Sequence, residues 1–251
     1  MKKVSIITPS FSRAPFLELC YQCFISQTYP NLEWLVLDDS PEPCDFFFQI
    51  VDENVHYIHS AKRISIGEKR NQLIAQANGE IIVHFDDDDF YAPHYVAHMV
   101  SEMEQQQADF INNRGFFLYD ASFERLCYWL LEKKSGAHFR IKKEHVEAVV
   151  LDAKTFEHNH LGYGFGYVYK KQLWQDHPFA DMNWNEDSTF TMKALNSGAI
   201  LGGTEDTKGL CLHFLHRNST SICFPQYLIP SALIGSWFSL DMIRKYIVAN
   251  L

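Results

Sequence analysis

Asp86-Asp87-Asp88-Asp89 follows directly on Glu80-Ile81-Ile82-Val83-His84-Phe85. The apolar run reads as a buried strand, so the four carboxylates are delivered at its C-terminal end. Adjacent anions repel, and a folded chain keeps them together where a cation or a set of backbone N–H groups offsets the repulsion. Divalent-metal chemistry suits this pattern, because Mg2+ or Mn2+ takes oxygen ligands and bridges one or two carboxylates to substrate phosphates. Asp86 and Asp88 are the candidate ligands. Asp89, just before Phe90 and Tyr91, reads as a helix N-cap. The structural alternative is a solvated acidic loop.

A second acidic pair, Glu186-Asp187, follows Trp184-Asn185. A carboxylate there could take a proton from an attacking hydroxyl, or the pair could simply open a helix over 188–196. Trp184 is the candidate sugar-stacking surface beside it, with the glycines and aromatics of 162–167 offering either close backbone approach or a tightly turned aromatic core. His213 and His216 are each a candidate metal or phosphate contact and, equally, a hydrogen-bonded structural histidine. His84 alternates within its strand and reads as a sheet-face residue. Cys20-x-x-Cys23 has no second pair and no neighbouring histidines, so a buried helix face is favoured over zinc or redox chemistry.

The elements that must position these groups follow from periodicity. Val4–Ile7 predicts a strand, Ala14–Gln27 a helix, Leu32–Leu37 a second strand ending on Asp38-Asp39, and Val55–Ile58 a third. Gly67–Ala77 predicts a helix stopped by Asn78-Gly79, and 93–107 another. Alternating strands and helices with short connections imply a mostly parallel sheet covered on both faces, which binds ligands at the carboxyl ends of its strands. The second half is less periodic, with a strand over Val146–Leu151 and a helix over Phe190–Asn196. The chain reads as one continuous domain, with a nucleotide-binding half over 1–110 and an acceptor-binding half over 111–251.

The 251 residues are 47% hydrophobic and 15% aromatic, enough for a sizeable core. With 22 basic against 31 acidic residues and a net charge of −9, no nucleic-acid partner is expected. Scattered cysteines and the absence of an apolar leader lead to a cytoplasmic expectation, with the membrane surface as a secondary location. The apolar stretch over 222–240 is broken by Pro225, Gln226 and Pro230, so packing against the sheet or a dimer partner is expected rather than a span.

Taken in order, Thr8-Pro9-Ser10-Phe11-Ser12-Arg13, Asp38-Asp39-Ser40, Gly67-Glu68-Lys69-Arg70-Asn71, the segment Gly79 to Asp89, and Trp184-Asn185-Glu186-Asp187 resemble a family-2 glycosyltransferase of the GT-A fold, a Rossmann-like α/β architecture. The resemblance implies a metal-dependent, inverting transferase using Mn2+ or Mg2+. Its donor is a nucleotide-diphosphate sugar, UDP favoured, and its acceptor a hydroxyl on a carbohydrate, glycolipid or protein. It further implies that Thr8, Pro9, Arg13 and Gly67 border the nucleotide, that Asp38 or Asp39 meets the base, and that Arg70, Asp86 and Asp87 lie near the diphosphate. Asp88, Asp86 and His216 would hold the metal. Asp187 would be the general base, with Glu186 orienting or contacting the acceptor. A sugar nucleotidyltransferase is disfavoured because Thr8–Arg13 contains no glycine, whereas a noncatalytic nucleotide- or sugar-binding protein remains the alternative to be separated by turnover.

Overall fold

The computed structural model describes residues 1–143, 145–154, 156–158, 161, 163–219 and 221–249. In chain order the first half runs β1 (Val4–Ser10), α1 (Ala14–Ile25), β2 (Leu32–Asp38), β3 (Val55–His59), α2 (Ile66–Gln76), β4 (Ile81–His84), β5 (Phe90–Tyr91) and α3 (Tyr95–Gln105). The second half runs β6 (Phe110–Asp120), β7 (Arg125–Leu130), β8 (Gly136–Lys142), β9 (His145–Leu151), β10 (Val168–Lys170), α4 (Lys171–Asp176), α5 (Glu186–Asn196), β11 (Leu201–Glu205), β12 (Cys211–Leu215), β13 (Tyr227–Ile229) and α6 (Leu240–Ala249).

Strands β4, β1, β2 and β3 lie side by side and parallel. Their side chains alternate between two cores, as a pleat with a period of two requires. Val4, Ile6, Trp34 and Val36 join α1 residues Leu17, Cys20, Cys23 and Phe24 on one face. Ile7, Leu35 and Leu37 join α2 residues Leu73, Ile74 and Ala77 on the other. Cys20 and Cys23 are free, buried thiols, in keeping with a packed helix face. α2 starts on a capped turn in which Ser65 Oγ accepts the Glu68 N–H at 3.1 Å.

Beyond β4 the sheet changes character. β10 inserts antiparallel between β4 and β6, and β6 continues antiparallel to β7, which pairs with β13. β11 and β12 add parallel to β6, and β8 with β9 forms a separate hairpin. Residues from both halves of the chain therefore share one sheet. The apolar C-terminal stretch packs inward: Ile234 and Phe238 join Phe117, Phe214 and the α6 residues Ile243 and Tyr246 in a third core cluster. Among the described residues no helix is long and apolar enough to cross a membrane.

At the N-terminal edge of the parallel strands one carboxylate ties three of them together. Glu33 of β2 has no exposed side-chain surface and accepts Lys3 Nζ at 2.7 Å, Ser5 Oγ at 2.5 Å, and the Asn78 backbone N–H and side-chain amide at 2.5 and 3.0 Å. Ser5 Oγ in turn accepts the Gly79 N–H at 2.8 Å, where a Cβ at Gly79 would sit 2.5 Å from the same oxygen. Burial alone would raise the Glu33 carboxyl, but these donors outweigh it and hold it down to about 2. A depressed carboxyl stabilises the fold at pH values above its unfolded pKa and loses that contribution as pH falls towards the folded value. Glu33→Gln is therefore expected to cost about 3 kcal/mol at neutral pH. In urea denaturation the gap between wild type and variant should narrow steadily between about pH 4.5 and pH 2; a gap independent of pH would contradict the ionic account.

Candidate active site

Parallel register brings the C-terminal ends of β1 and β2 to one edge, with Ser10 paired to Asp38. Lys69, 2% exposed on α2, knits those ends together: its Nζ donates to Ser10 O and to Asp39 Oδ1, both at 2.7 Å. Asp39 also accepts Arg63 Nη1 at 2.5 Å and the Ile64 N–H at 2.9 Å. Burial pushes its carboxyl up, but Lys69, the Ile64 N–H and Arg63 hold it below the usual carboxylate range. Asp38 accepts the Ser40 N–H at 3.0 Å, the Ser40 hydroxyl, and Tyr57 Oη at 2.8 Å. Both candidate base-reading carboxylates are thus engaged internally. The Thr8 hydroxyl faces the core and accepts Trp34 Nε1 at 2.9 Å. Pro9 is half-buried on the opposite side of the strand.

Each aspartate of the run has a different partner. Asp86 keeps the most exposed side chain of the four, at 32%, and lies 4.0 Å from Arg70 Nη2. Its backbone N–H donates to Tyr91 Oη at 2.9 Å, and Tyr91 donates to Phe165 O at 3.0 Å. Desolvation at the cleft floor, opposed by Arg70 and reinforced by Asp89 and Asp88, pushes its carboxyl up to about 7. Asp87 accepts Ser10 Oγ at 2.6 Å and faces Arg13 Nε at 3.8 Å. Asp88 lies 2.9 Å from His216 Nε2 and 3.6 Å from Arg13 Nε. Asp89 is fully buried, accepts His213 Nδ1 at 2.8 Å and the Phe214 N–H at 2.9 Å, and caps no helix, since α3 begins only at Tyr95. Burial would lower the His213 ring's pKa, but the Asp89 carboxylate outweighs it and pushes that pKa well above the usual histidine value.

The Asn218 backbone N–H donates to His216 Nδ1 at 3.2 Å, and Nε2 lies 2.9 Å from Asp88 Oδ2. Burial's upward push on Asp88 is overcome by His216 and Arg13. Among the described residues no three His, Cys, Asp or Glu side chains converge as a ready-made cage. Two carboxylates, Asp86 and Asp88, fit a Mg2+ or Mn2+ ion that completes its shell with phosphate oxygens and water.

The second acidic pair lies across the same cleft. Asn185, at φ +64°, turns the chain into α5 and places Glu186 and Asp187 in its first turn. Glu186, 6% exposed, is bound by Arg70 Nη1. Asp187 is only half-buried, accepting the Gly164 N–H at 3.1 Å and the Ser188 N–H at 2.6 Å. A Cβ at Gly164 would lie 2.8 Å from Arg70 Nη2, which explains a glycine there. His84, kept neutral by burial and Arg70, holds the Gly164 carbonyl at 2.8 Å through Nδ1 and Tyr169 Oη at 2.9 Å through Nε2. Gly67 is closely packed: a Cβ there would meet Ala180 O at 1.9 Å, and its N–H donates to Met182 O at 3.1 Å.

A cleft of about 740 Å³ joins Arg70, Asp86, Tyr163, Trp184, Asp187 and His213. Trp184 is 70% exposed on its rim. Gly162 lies outside the described residues. Sequence reasoning missed the structural importance of Lys69 and Gly164; the only signals were a lysine within a short amphipathic helix and a glycine between aromatics.

The family described as Glycosyl transferase family 2 matches residues 5–156. Glycosyltransferase GlyG of Streptococcus pneumoniae is 27% identical over 152 residues, covering 59% of this chain and 48% of its own length. The structure of S. aureus TarS 1–349 in complex with UDP superposes with a TM-score of 0.63 at 16% identity, over 85% of this chain and 60% of that one. The mannosyltransferase PcManGT from Pyrobaculum calidifontis, in complex with GDP-Man and Mn2+, gives 0.60 at 18%, over 84% of this chain and 56% of that one. The chain thus spans about half the length of the curated relative and somewhat more of the two structures. These likenesses establish the GT-A fold.

Arg70 is buried between two acids, and removing one member of a buried ion pair strands the other. Arg70→Met is expected to lower the unfolding free energy by about 3–5 kcal/mol, with Arg70→Met/Glu186→Gln recovering a large part of the loss. Urea denaturation of the two variants checks this; additive losses would show that Glu186 does not depend on Arg70.

Proposed function

The chain belongs to glycosyl transferase family 2, and from that premise we propose that it moves a sugar, with inversion, from a nucleoside-diphosphate donor to a hydroxyl acceptor in building a polysaccharide or glycoconjugate. One observation carries the assignment of roles: Arg70 binds Glu186 and faces Asp86, leaving Asp187 as the accessible carboxylate of the acidic pair in the same cleft. Glu186 is buried and engaged by Arg70, so the base is Asp187.

Asp187 takes the proton of the acceptor hydroxyl as that oxygen attacks the anomeric carbon. The bond from that carbon to the diphosphate oxygen breaks, and the nucleoside diphosphate leaves with the electron pair. The Gly164 and Ser188 N–H groups fix the orientation of Asp187. Trp184 offers an aromatic face at the rim for a sugar ring. Arg70 Nε is buried without a hydrogen-bond partner among the described residues, and Arg70 lines the cleft. An unpaired donor on a permanent cation supports an anionic ligand. A bound Mg2+ or Mn2+ on Asp86 and Asp88, the latter oriented by His216, would supply Lewis-acid stabilisation of the departing diphosphate. UDP is the preferred leaving group; TarS in complex with UDP supports it, and PcManGT with GDP-Man keeps guanosine diphosphate in the comparison.

Calorimetry and thermal shift with uridine, guanosine and thymidine diphosphates, with and without Mn2+, test the donor site. Stabilisation by one nucleotide, dependent on Mn2+ and lost in Asp88→Asn, is the expected result. Absence of nucleotide binding under every metal condition would overturn the reading. Asp187→Asn should reduce transfer by roughly a thousandfold or more while leaving nucleotide affinity within about twofold. Binding without turnover by wild type across a broad acceptor panel would point instead to a noncatalytic binding protein.

A further inference from the structure

Two side chains reach the short turn over Gly164–Gly166 from opposite sides. Gly164 donates its N–H to Asp187 Oδ2 at 3.1 Å, and its carbonyl lies 2.8 Å from His84 Nδ1. A carbonyl oxygen only accepts, so Nδ1 carries the proton of this bond whatever the charge on the ring. His84 is on β4, just ahead of the aspartate run, and is 1% exposed, with its Nε2 2.9 Å from Tyr169 Oη. Its ring packs among Tyr167, Tyr169 and Phe179 at centroid distances of 5.6, 5.4 and 5.8 Å. Ile82, on the same face of the strand, belongs to the apolar core there. A polar ring buried among aromatics carries a desolvation cost that phenylalanine or leucine would avoid, so packing alone does not account for a histidine at this position.

Gly164 must lack a Cβ because of Arg70, and a glycine has wide backbone freedom. Its conformation is therefore set by the bonds made to its own N–H and carbonyl. The residues that follow are tied separately: Phe165 O accepts Tyr91 Oη at 3.0 Å, and Tyr167 O accepts the His84 backbone N–H at 2.9 Å. We propose that His84 is a positioning residue for Asp187, its side chain fixing Gly164 so that the glycine N–H holds the carboxylate in line with the acceptor hydroxyl. Without the Nδ1 donor the buried carbonyl is left unpaired, and the glycine can turn it towards the water of the cleft. That rotation draws the N–H away from Asp187 Oδ2 and leaves the carboxylate to the Ser188 N–H. A displacement of about 1 Å in a reacting group costs on the order of a hundredfold in rate. The inference rests on the assignment of Asp187 as base and adds to it a residue buried beneath the cleft surface, which acts on the reaction only through the carboxylate.

The test measures nucleoside diphosphate release by the full chain with Mn2+, from UDP-N-acetylglucosamine, UDP-glucose and GDP-mannose, with methyl glycosides as acceptors. Wild type is compared with His84→Phe, His84→Asn, Asp187→Asn and the double variant His84→Phe/Asp187→Asn. His84→Phe fills the aromatic space without a donor and should lower kcat roughly ten- to a hundredfold, with calorimetric affinity for uridine and guanosine diphosphates within about twofold of wild type. His84→Asn sets an amide N–H near the Nδ1 position and should restore kcat to within about fivefold of wild type. Because positioning acts through Asp187, His84→Phe should cost less than about threefold in the Asp187→Asn background. A wild-type kcat in His84→Phe, or a loss as large in the Asp187→Asn background as in wild type, overturns the positioning role and leaves Asp187 as the base. A parallel loss of nucleotide affinity, or no recovery in His84→Asn, also overturns it, since the ring would then serve the fold as a whole. Wild-type transfer by Asp187→Asn removes the base assignment and this inference together, as does a wild type that consumes no donor.

Discussion

Arg70 is buried where the two acidic groups of the cleft face each other, bound to Glu186 and 4.0 Å from Asp86 Oδ1. Taking a guanidinium and a carboxylate out of water is costly, and the cost is offset only where each charge keeps a close partner. Several features of the surrounding chain serve that requirement. Gly164 lets the main chain pass close over the guanidinium, and Gly67 lets the start of α2 lie against residues 180–182, so that Arg70 reaches across to α5. His84, kept neutral beside this cation, holds the carbonyl of the same glycine whose N–H orients Asp187. The placement of Asp187 therefore follows from how one buried cation is accommodated.

The same logic explains how four consecutive aspartates coexist. Their exposure alternates: Asp86 and Asp88 are partly open, whereas Asp87 and Asp89 are buried. The buried pair is assigned to Ser10 and to His213, which anchor the run to β1 and β12. The open pair lies close to Arg70 and Arg13, which reduces the repulsion. His216, itself fixed by the Asn218 N–H, sets the direction of Asp88. A stretch that looks uniform in sequence thus divides into two anchors and two ligand-facing groups.

The antiparallel half supplies the opposite wall. β10 lies between β4 and β6, bringing the loop that carries Gly164 and Phe165 directly over the end of β4. Tyr91 closes that junction through its hydrogen bonds to the Asp86 N–H and Phe165 O. Cleft shape and carboxylate geometry are consequently coupled, because residues of the antiparallel half that shape the cleft also hold the aspartate loop.

The parallel half was legible from the chain alone because its signals are local. Runs such as Ile81–Val83 and the apolar spacing of 16–24 state their element type without outside help, and the aspartates must then emerge at the strand end. The family resemblance rested on the same local segments. β6 was not legible, since Asn112-Asn113-Arg114-Gly115 interrupts its apolar run and nearly every residue is buried, leaving no alternation to read. β11 carries two glycines and β10 has three residues, both too weak to stand without neighbours. Residue type marked Glu186-Asp187, Arg70 and the histidines as chemically capable, but their division of labour depended on distances between segments more than a hundred residues apart. Only the tertiary structure bound Glu186 to Arg70, set His216 against Asp88, turned Thr8 into the core, and laid Arg63 across Phe11. Hydrogen-bond direction and burial are properties of partners, and partners are chosen by the fold.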